Sequence, residues 1–242
     1  MAAYNEERTI GRCIRAVLDA PLPEGIQREL VIVDDGSKDR TWEEISILAE
    51  SRPTEVRVFR SPVNRGKGAA IRRAIQEMSG DLAIFQDADL EYDPADIPRV
   101  LSPILDGRAD VVFGSRFTSG ERRVLFFWHC LGNQLLTLLS NMLNDTNWSD
   151  METCYKAFTA DALKALPLVS NRFGIEPEIA AKVARNRFRM YEVPITYNGR
   201  GYEDGKKIGW RDGVAALWFI FHHRFFSPCR HDRPSRSCGR KG

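Results

Sequence analysis

The feature that most constrains the fold is the alternation of short apolar runs with helical stripes along the first half of the chain. Helical stripes, with apolar residues three and four positions apart, occupy residues 10–18, 42–49 and 71–78. The apolar runs carry little polar alternation, which is typical of strands buried on both faces of a parallel sheet. These runs cover residues 30–33, 56–59, 82–85 and 111–113. The alternation predicts βαβ units and therefore an α/β, Rossmann-like fold with a mostly parallel sheet flanked by helices.

The second half of the chain has a different pattern. Leu135, Leu138, Leu139 and Met142 form one more helical stripe, residues 175–187 are predicted to be helical, and residues 191–197 alternate as a half-buried strand. We expect this half to cover the site. An amphipathic helix near the C-terminus has an apolar face suited to a membrane surface or to docking on the domain, formed by Val214, Leu217, Trp218, Phe221 and Phe225.

The length and composition favour one domain. With 242 residues and 43% hydrophobic content, the chain can bury a full core. We predict a domain over residues 1–228, followed by a basic disordered tail over residues 229–242 that is rich in Arg, Ser and Pro. The chain opens with Met-Ala-Ala-Tyr-Asn-Glu where a first buried strand should be ending, so we expect that the true first strand is missing from this sequence.

Charge and cysteine content exclude several classes of protein. The net charge of +2 comes from 35 basic and 33 acidic residues, so the chain lacks the basic excess of a nucleic-acid binder. Its five cysteines form no CxxC pair, and reduced thiols are the expected state. No run approaches the ~20 apolar residues that span a bilayer, and no secretion signal opens the chain. We therefore predict a cytoplasmic protein that does not cross the membrane.

The residues that follow each predicted strand carry the chemistry, because ligands bind at the carboxyl ends of strands in such sheets. Asp87 and Asp89 follow the third run, and strand alternation points both carboxylates the same way. Carboxylate pairs suit a hard divalent cation, and Glu91 extends the series by another two residues. Aspartates also form ordinary turns after strands, so this pair alone leaves both interpretations open.

Two other strand ends are weaker signals. Asp35, in the segment Asp-Asp-Gly-Ser, could accept hydrogen bonds from a nucleoside, although an Asx turn explains the same residues. Residues 64–68 are predicted to open a helix at Ala69, where glycine permits close approach of an anion and Lys67 adds charge. The spacing fits neither a P-loop nor GxGxxG, and a plain loop is the alternative.

Taken together, the motifs resemble those of the family 2 glycosyltransferases, and within that family those of the dolichyl-phosphate and polyprenyl-phosphate mannosyl- or glucosyltransferases. The resemblance covers almost the whole chain. Its motifs are Ala-Tyr-Asn-Glu-Glu at 3–7, Val-Asp-Asp-Gly-Ser-Lys-Asp at 33–39, Asn-Arg-Gly-Lys-Gly at 64–68, Asp-Ala-Asp-Leu-Glu-Tyr-Asp-Pro at 87–94 and Gly-Ser-Arg-Phe at 114–117.

The resemblance implies a GT-A fold, an inverting displacement, a donor such as GDP-mannose or UDP-glucose, and Mg²⁺ or Mn²⁺ as cofactor. It assigns Arg116 to the acceptor or donor phosphates. It assigns two further groups: Tyr4, Glu6 and Asp35 to the nucleoside, and Asp87, Asp89 and Glu91 to the metal and diphosphate. Residues 199–210 would form a lid over the donor, with an exposed loop as the alternative. Further candidate phosphate-binding cations are Lys67, Arg122, Arg123, Lys156, Arg200, Lys206 and Lys207.

The chemistry of the acceptor separates the functional hypotheses. A phosphomonoester has a second pKa of about 6, so a polyprenyl phosphate is already a nucleophile at neutral pH and needs no general base. If the acceptor were instead a hydroxyl of a glycan or small molecule, Asp150 or Glu152 could act as the base. A third hypothesis is a nucleotide-sugar-binding subunit without turnover. Contact with a lipid acceptor would be peripheral or would go through a membrane-protein partner.

Overall fold

The computed structural model describes residues 1–118, 126–199 and 210–226, which form alternating strands and helices. The strands are β1 (Ala2–Ala3), β2 (Leu30–Asp34), β3 (Val56–Arg60), β4 (Leu82–Ile84), β5 (Val111–Ser115), β6 (Lys156–Thr159) and β7 (Met190–Pro194). The helices are α1 (Ile10–Asp19), α2 (Thr41–Ser51), α3 (Lys67–Glu77), α4 (Ile97–Leu105), α5 (Phe127–Asn144), α6 (Ala160–Lys164), α7 (Ile175–Arg185) and α8 (Trp210–Phe225). The four predicted apolar runs are β2 to β5, with ends shifted by no more than two residues.

The first sheet is parallel and has the order β1-β2-β3. Every residue of the central strand β2 is buried, as its apolar sequence predicts. Strand β3 lies at the edge, so it is buried at Val56 and exposed at Arg60, and burial on both faces was the wrong prediction for this strand. Strand β1 consists of Ala2 and Ala3, which pair with Val33 and Asp34 at the position where a first strand was expected to end.

The second sheet is mixed and has the order β4-β6-β5-β7. Strand β6 runs antiparallel to both of its neighbours, whereas β5 and β7 are parallel. The sequence analysis did not predict β6, because its four residues form no long apolar run. An isolated bridge between Ala2 and Asp87 connects the edge of the first sheet to the segment after β4. The carboxyl ends of β1, β2 and β4 therefore lie side by side.

The larger core lies between the second sheet and the helices that cover it, with Val100 of α4, Val112 of β5 and Ile179 of α7 all buried. Phe113 stacks on Trp148 with ring centroids 4.2 Å apart. Two predicted helices of the second half, α5 and α7, are confirmed. The stripe on α5 faces outward, however, since Leu135, Leu138 and Met142 are exposed.

Some predictions fall outside the described residues. These are the interior of the lid at 200–209, the basic tail at 229–242, and the cations Arg122, Arg123, Arg200, Lys206 and Lys207. The three cysteines within the described ranges, Cys13, Cys130 and Cys154, are free thiols. Across those same ranges, no helix combines the length and the apolar character that crossing a bilayer requires.

Candidate active site

The loops that follow β1 and β2 hold each other in place. The backbone N–H of Asn5 donates to Oγ of Ser37 at 3.0 Å, and Oδ1 of Asn5 accepts from the N–H of Lys38 at 2.9 Å. The N–H of Glu6 donates to Oγ1 of Thr41 at 2.8 Å. Asn5 has a φ of +51°, a left-handed conformation that asparagine tolerates better than most residues. Half-buried Tyr4 and Glu6, the predicted nucleoside contacts, are thereby fixed at the end of β1.

Asp35 organises the loop that leads into α3. Its carboxylate accepts hydrogen bonds from the backbone N–H groups of Arg65 at 3.0 Å and Gly66 at 2.6 Å, and the residue is only 2% exposed. Gly36 beside it has a φ of +73°, and a Cβ there would lie 2.8 Å from the carbonyl carbon of Val63. Only glycine fits this close approach. The nucleoside contact of Asp35 stays a prediction, and the role that the structure gives its carboxylate is to anchor the loop.

Lys67 is the first residue of α3 and lies between two carboxylates from distant parts of the chain. Its Nζ is 2.8 Å from Oδ1 of Asp87 and 3.1 Å from Oε1 of Glu176. Burial alone would lower the pKa of Lys67, but the negative charges of Asp87 and Glu176 outweigh it and raise this pKa well above its usual value. Burial likewise works against ionised Asp87, and the ammonium of Lys67 keeps the pKa of this carboxyl below its usual value. Both groups are therefore charged at neutral pH.

Glu176 carries the ion-pair chain further into the protein. It lies in the first turn of α7, and its Oε2 is 2.5 Å from Nζ of the fully buried Lys156. Lys156 also donates to the carbonyl of Thr153 and lies 4.8 Å from the ring centroid of Phe113. Positive and negative groups thus alternate from Asp87 through Lys67 and Glu176 to Lys156. Glu176 was not predicted from the sequence, because an acidic residue in the first turn of a helix is an ordinary helix-start signal.

Asp87 and Asp89 lie in the segment that follows β4. Buried Ala88 separates them. Burial and the negative charges of both Asp89 and Asp87 raise the pKa of the Cys13 thiol to about 12, so the two carboxylates act on one point beside α1. Glu91 has a different local partner, since its Oε2 accepts a hydrogen bond from the Tyr197 hydroxyl at 2.8 Å.

The carboxylate ligands near β4 fit a divalent cation only if another molecule completes its coordination. Within the described residues, no group of three or more His, Cys, Asp or Glu side chains could hold a metal ion. Mg²⁺ is commonly bound through one or two carboxylates together with waters and substrate phosphates. Asp87 and Asp89 match that kind of site, and a diphosphate would supply the oxygen ligands that the protein does not.

Arg116 and Asp150 form a second, separate ion pair. Arg116 follows β5, and its Nε and Nη2 donate to the two carboxylate oxygens of Asp150 at 2.6 and 2.7 Å. The backbone N–H of Arg116 and Nδ2 of Asn133 also donate to Asp150, each at 3.1 Å. Burial would raise the pKa of Asp150, but Arg116 outweighs it and lowers the pKa. This carboxylate accepts four hydrogen bonds and is suited to orienting Arg116 rather than to removing a proton.

Glu152 differs from Asp150, because the pKa of Glu152 is raised and that of Asp150 is lowered. Its Oε1 is buried, and none of the described residues hydrogen-bonds it. Burial, followed by the negative charge of Glu176, raises the pKa of Glu152 to about 7. A carboxyl with that pKa exchanges protons near neutral pH, so Glu152 is the better candidate of the two predicted bases.

Comparison with known proteins identifies the family to which these strand-end motifs belong. A family model described as Glycosyl transferase family 2 matches residues 1–166, more than half of the chain. The chain belongs to the family 2 glycosyltransferases. The matched region contains the predicted donor motifs, Arg116, Asp150 and Glu152.

Two curated relatives and one solved structure illustrate the similarity. Glycosyltransferase AglJ of Haloferax volcanii is 32% identical over 198 residues, which is 81% of this chain and 61% of AglJ, so the chain spans about three fifths of that relative. Undecaprenyl-phosphate mannosyltransferase of Micrococcus luteus is 28% identical over 234 residues, which is 89% of this chain and 93% of the relative.

The solved structure is that of glucosyl-3-phosphoglycerate synthase from Mycobacterium tuberculosis in complex with Mn²⁺, uridine diphosphate and phosphoglyceric acid. It superimposes with a TM-score of 0.70 at 20% identity, over 94% of this chain and 78% of that one. At this level of identity the likeness concerns the fold, and it confirms the predicted GT-A architecture for this family 2 glycosyltransferase.

The ion-pair chain leads to a prediction about stability. We expect Glu176→Gln to lower the free energy of unfolding by about 3 kcal/mol or more, because it leaves the buried ammonium of Lys156 without a counter-charge. Urea unfolding at pH 7 measures this loss. The control is Glu43→Gln, which removes an exposed pair with Arg40 and should cost at most about 1 kcal/mol. Equal, small losses in the two variants would show that the buried chain does not stabilise the fold.

Proposed function

We propose that this family 2 glycosyltransferase transfers a hexose from a nucleotide-diphosphate donor, GDP-mannose or UDP-glucose, to a polyprenyl phosphate such as dolichyl or undecaprenyl phosphate. The observation that carries the proposal is the pairing of Lys67 with Asp87 at the strand edge, with Asp89 two residues on. This edge combines carboxylates for a cation with a half-buried ammonium for an anion, which is what a diphosphate leaving group requires. The similarity to undecaprenyl-phosphate mannosyltransferase supports the choice of acceptor.

On the donor side, Asp87 and Asp89 would hold Mg²⁺ or Mn²⁺, with Glu91 beside them. When bound, this cation would neutralise charge that develops on the leaving diphosphate. Lys67 keeps its positive charge through the two carboxylates that flank it, and its ammonium provides hydrogen-bond donors for phosphate oxygens. We assign the nucleoside to Tyr4, Glu6 and the loop that Asp35 anchors.

On the acceptor side, Arg116 binds the lipid phosphate. Asp150 holds its guanidinium from one edge, and the ring of Tyr197 lies 5.0 Å from Cζ of Arg116. An oxygen of the acceptor phosphate then attacks the anomeric carbon while the bond from that carbon to the diphosphate breaks, with inversion. A phosphomonoester with a second pKa of about 6 is already deprotonated at neutral pH, so this reaction needs no proton acceptor from the protein.

Such an acceptor brings the reaction to a membrane. The prenyl chain lies in the bilayer and its phosphate at the surface. We therefore place the protein at the cytoplasmic face, held by peripheral contact or by a membrane-protein partner.

The direct test is transfer of labelled hexose from each donor, with Mg²⁺ or Mn²⁺, to supplied undecaprenyl or dolichyl phosphate. We expect an organic-extractable product that disappears when the cation is chelated. Asp89→Asn should abolish transfer without unfolding the protein. Asp81→Asn, an exposed residue at the other end of β4, should retain it and serves as the matched control.

Other outcomes of this assay contradict the proposal in distinct ways. Donor hydrolysis without a lipid product would indicate a different acceptor. Nucleotide binding without any turnover would indicate a non-catalytic nucleotide-sugar-binding subunit. Full activity of Asp89→Asn would remove the metal assignment.

A hydroxyl acceptor is the second candidate, and one observation favours it. Glu152 combines a buried Oε1, which no described residue hydrogen-bonds, with a pKa of about 7, as a general base requires. In that reaction Glu152 would take the proton of the attacking hydroxyl, and transfer would depend on its ionised form.

The pH dependence of Glu152→Gln separates the two acceptors. For a polyprenyl phosphate we expect Glu152→Gln to keep transfer within about threefold of the unchanged protein between pH 6.5 and 8.5, because no base is needed. For a hydroxyl acceptor, the rate should rise with pH through about 7 as Glu152 loses its proton. Glu152→Gln should then lower transfer about a hundredfold and remove that rise. A hundredfold loss with polyprenyl phosphate would contradict base-free transfer.

A further inference from the structure

Helix α5 differs from an ordinary surface helix, which turns its apolar face inward, because most of its large apolar side chains are exposed. Its fully buried positions are polar: Thr137, Ser140 and Asn144. Six of its exposed positions carry large apolar side chains: Phe127, Trp128, Leu131, Leu135, Leu138 and Met142. Trp128 is 77% exposed and Met142 is 71% exposed. Exposed apolar side chains concentrated along one helix mark a surface that another body covers.

Helix α8 packs against both α5 and α7, and it also exposes large apolar side chains. Ile220 and His223 face inward, and Nε2 of His223 lies 3.0 Å from Oγ of Ser170. The exposed apolar side chains at its outer positions and just after its end are Leu217, Trp218, Phe221, Phe225 and Phe226. We call the exposed apolar side chains of these two neighbouring helices the α5/α8 surface.

The inward side of α5 contacts the acceptor side of the site. Asn133 donates to the carboxylate of Asp150, the partner of Arg116, at 3.1 Å. Oγ1 of Thr137 accepts from the N–H of Met151 at 3.2 Å, and Nδ2 of Asn141 donates to the carbonyl of Trp148 at 2.7 Å. One helix therefore separates the Arg116–Asp150 pair from the α5/α8 surface, and a body docked on that surface would lie one helix away from the pair.

The charged residues that adjoin these two helices in the sequence indicate which body covers the surface. Helix α5 contains no Asp, Glu, Lys or Arg. The sequence places Arg122 and Arg123 shortly before α5, and residues 227–242, which follow α8, contain four arginines and one lysine against one aspartate. Tryptophan and phenylalanine beside basic residues are typical of segments that lie in the interface of an anionic bilayer.

We infer that the α5/α8 surface docks flat on an anionic lipid bilayer and thereby presents the Arg116–Asp150 pair to phosphates at the level of the headgroups. The role of Arg116 in this inference rests on the proposed function, whereas the docking itself does not. Docking would bring the Arg116–Asp150 pair only to phosphates held at the bilayer surface. Membrane contact would therefore restrict the acceptor to that class of phosphate.

The first measurement is binding of the whole protein to phosphatidylglycerol–phosphatidylcholine vesicles that contain no prenyl phosphate. We expect the protein to co-float with these vesicles. We expect the double variant Trp128→Ser/Met142→Ser to bind at least about tenfold more weakly, since two large apolar side chains no longer enter the interface. The matched control is Ile47→Ser on α2, which changes a side chain that is 63% exposed on another helix and should not alter binding. Thermal unfolding verifies that all three proteins are folded.

The second measurement compares two acceptors. Transfer to a long-chain prenyl phosphate embedded in vesicles should fall with the double variant, whereas transfer to a short, water-soluble prenyl phosphate should not change. If the unchanged protein transfers to neither acceptor, the proposed function fails while the binding result still tests docking.

The inference is overturned if the unchanged protein does not bind the vesicles, if it binds pure phosphatidylcholine equally well, or if the double variant binds like the control. A dimer in solution that the double variant dissociates would also overturn it, because a second copy would then cover the surface.

Discussion

The ammonium of Lys67, held between Asp87 and Glu176, is the interaction on which the organisation of the site depends. It connects the start of α3, the segment after β4 and the first turn of α7, which are separated by up to 109 positions in sequence. Because Glu176 is buried and the side chains of Lys67 and Asp87 are only 18% and 24% exposed, a lost partner would leave a largely sheltered charge uncompensated. The same arrangement keeps a positive charge at the edge where a diphosphate is proposed to bind.

The fold was predictable where the signal is local. Strands β2 to β5 follow from continuous apolar runs that alternate with helical stripes, and the polar residues after them follow from the rule that ligands bind at the carboxyl ends of strands. Strand β6 and Glu176 were missed, because short antiparallel pairing and a buried ion pair depend on partners far along the chain. The apolar stripe predicted helix α5 correctly but not that the stripe is exposed. Periodicity identifies an apolar face and does not show whether that face packs on the core.

The two carboxylates proposed as bases show how environment separates residues that look alike in sequence. Asp150 accepts four hydrogen bonds and stays ionised, whereas Glu152, two residues away, has a buried oxygen that no described residue hydrogen-bonds and a raised pKa. Their sequence positions could not distinguish these roles. In the structure Asp150 acts as an orienting group for Arg116, and through Asn133 it connects that arginine to α5.

We propose that Asp87 and Asp89 hold a divalent cation together with the donor diphosphate. Calorimetric titration of Mn²⁺ into the protein, alone and with GDP or UDP, tests it without any acceptor. We expect weak binding of Mn²⁺ alone and binding at least about tenfold stronger with the nucleotide, since the diphosphate completes the coordination. Asp89→Asn should lose that gain. Mn²⁺ binding that is indifferent to the nucleotide, or unchanged in Asp89→Asn, would contradict it.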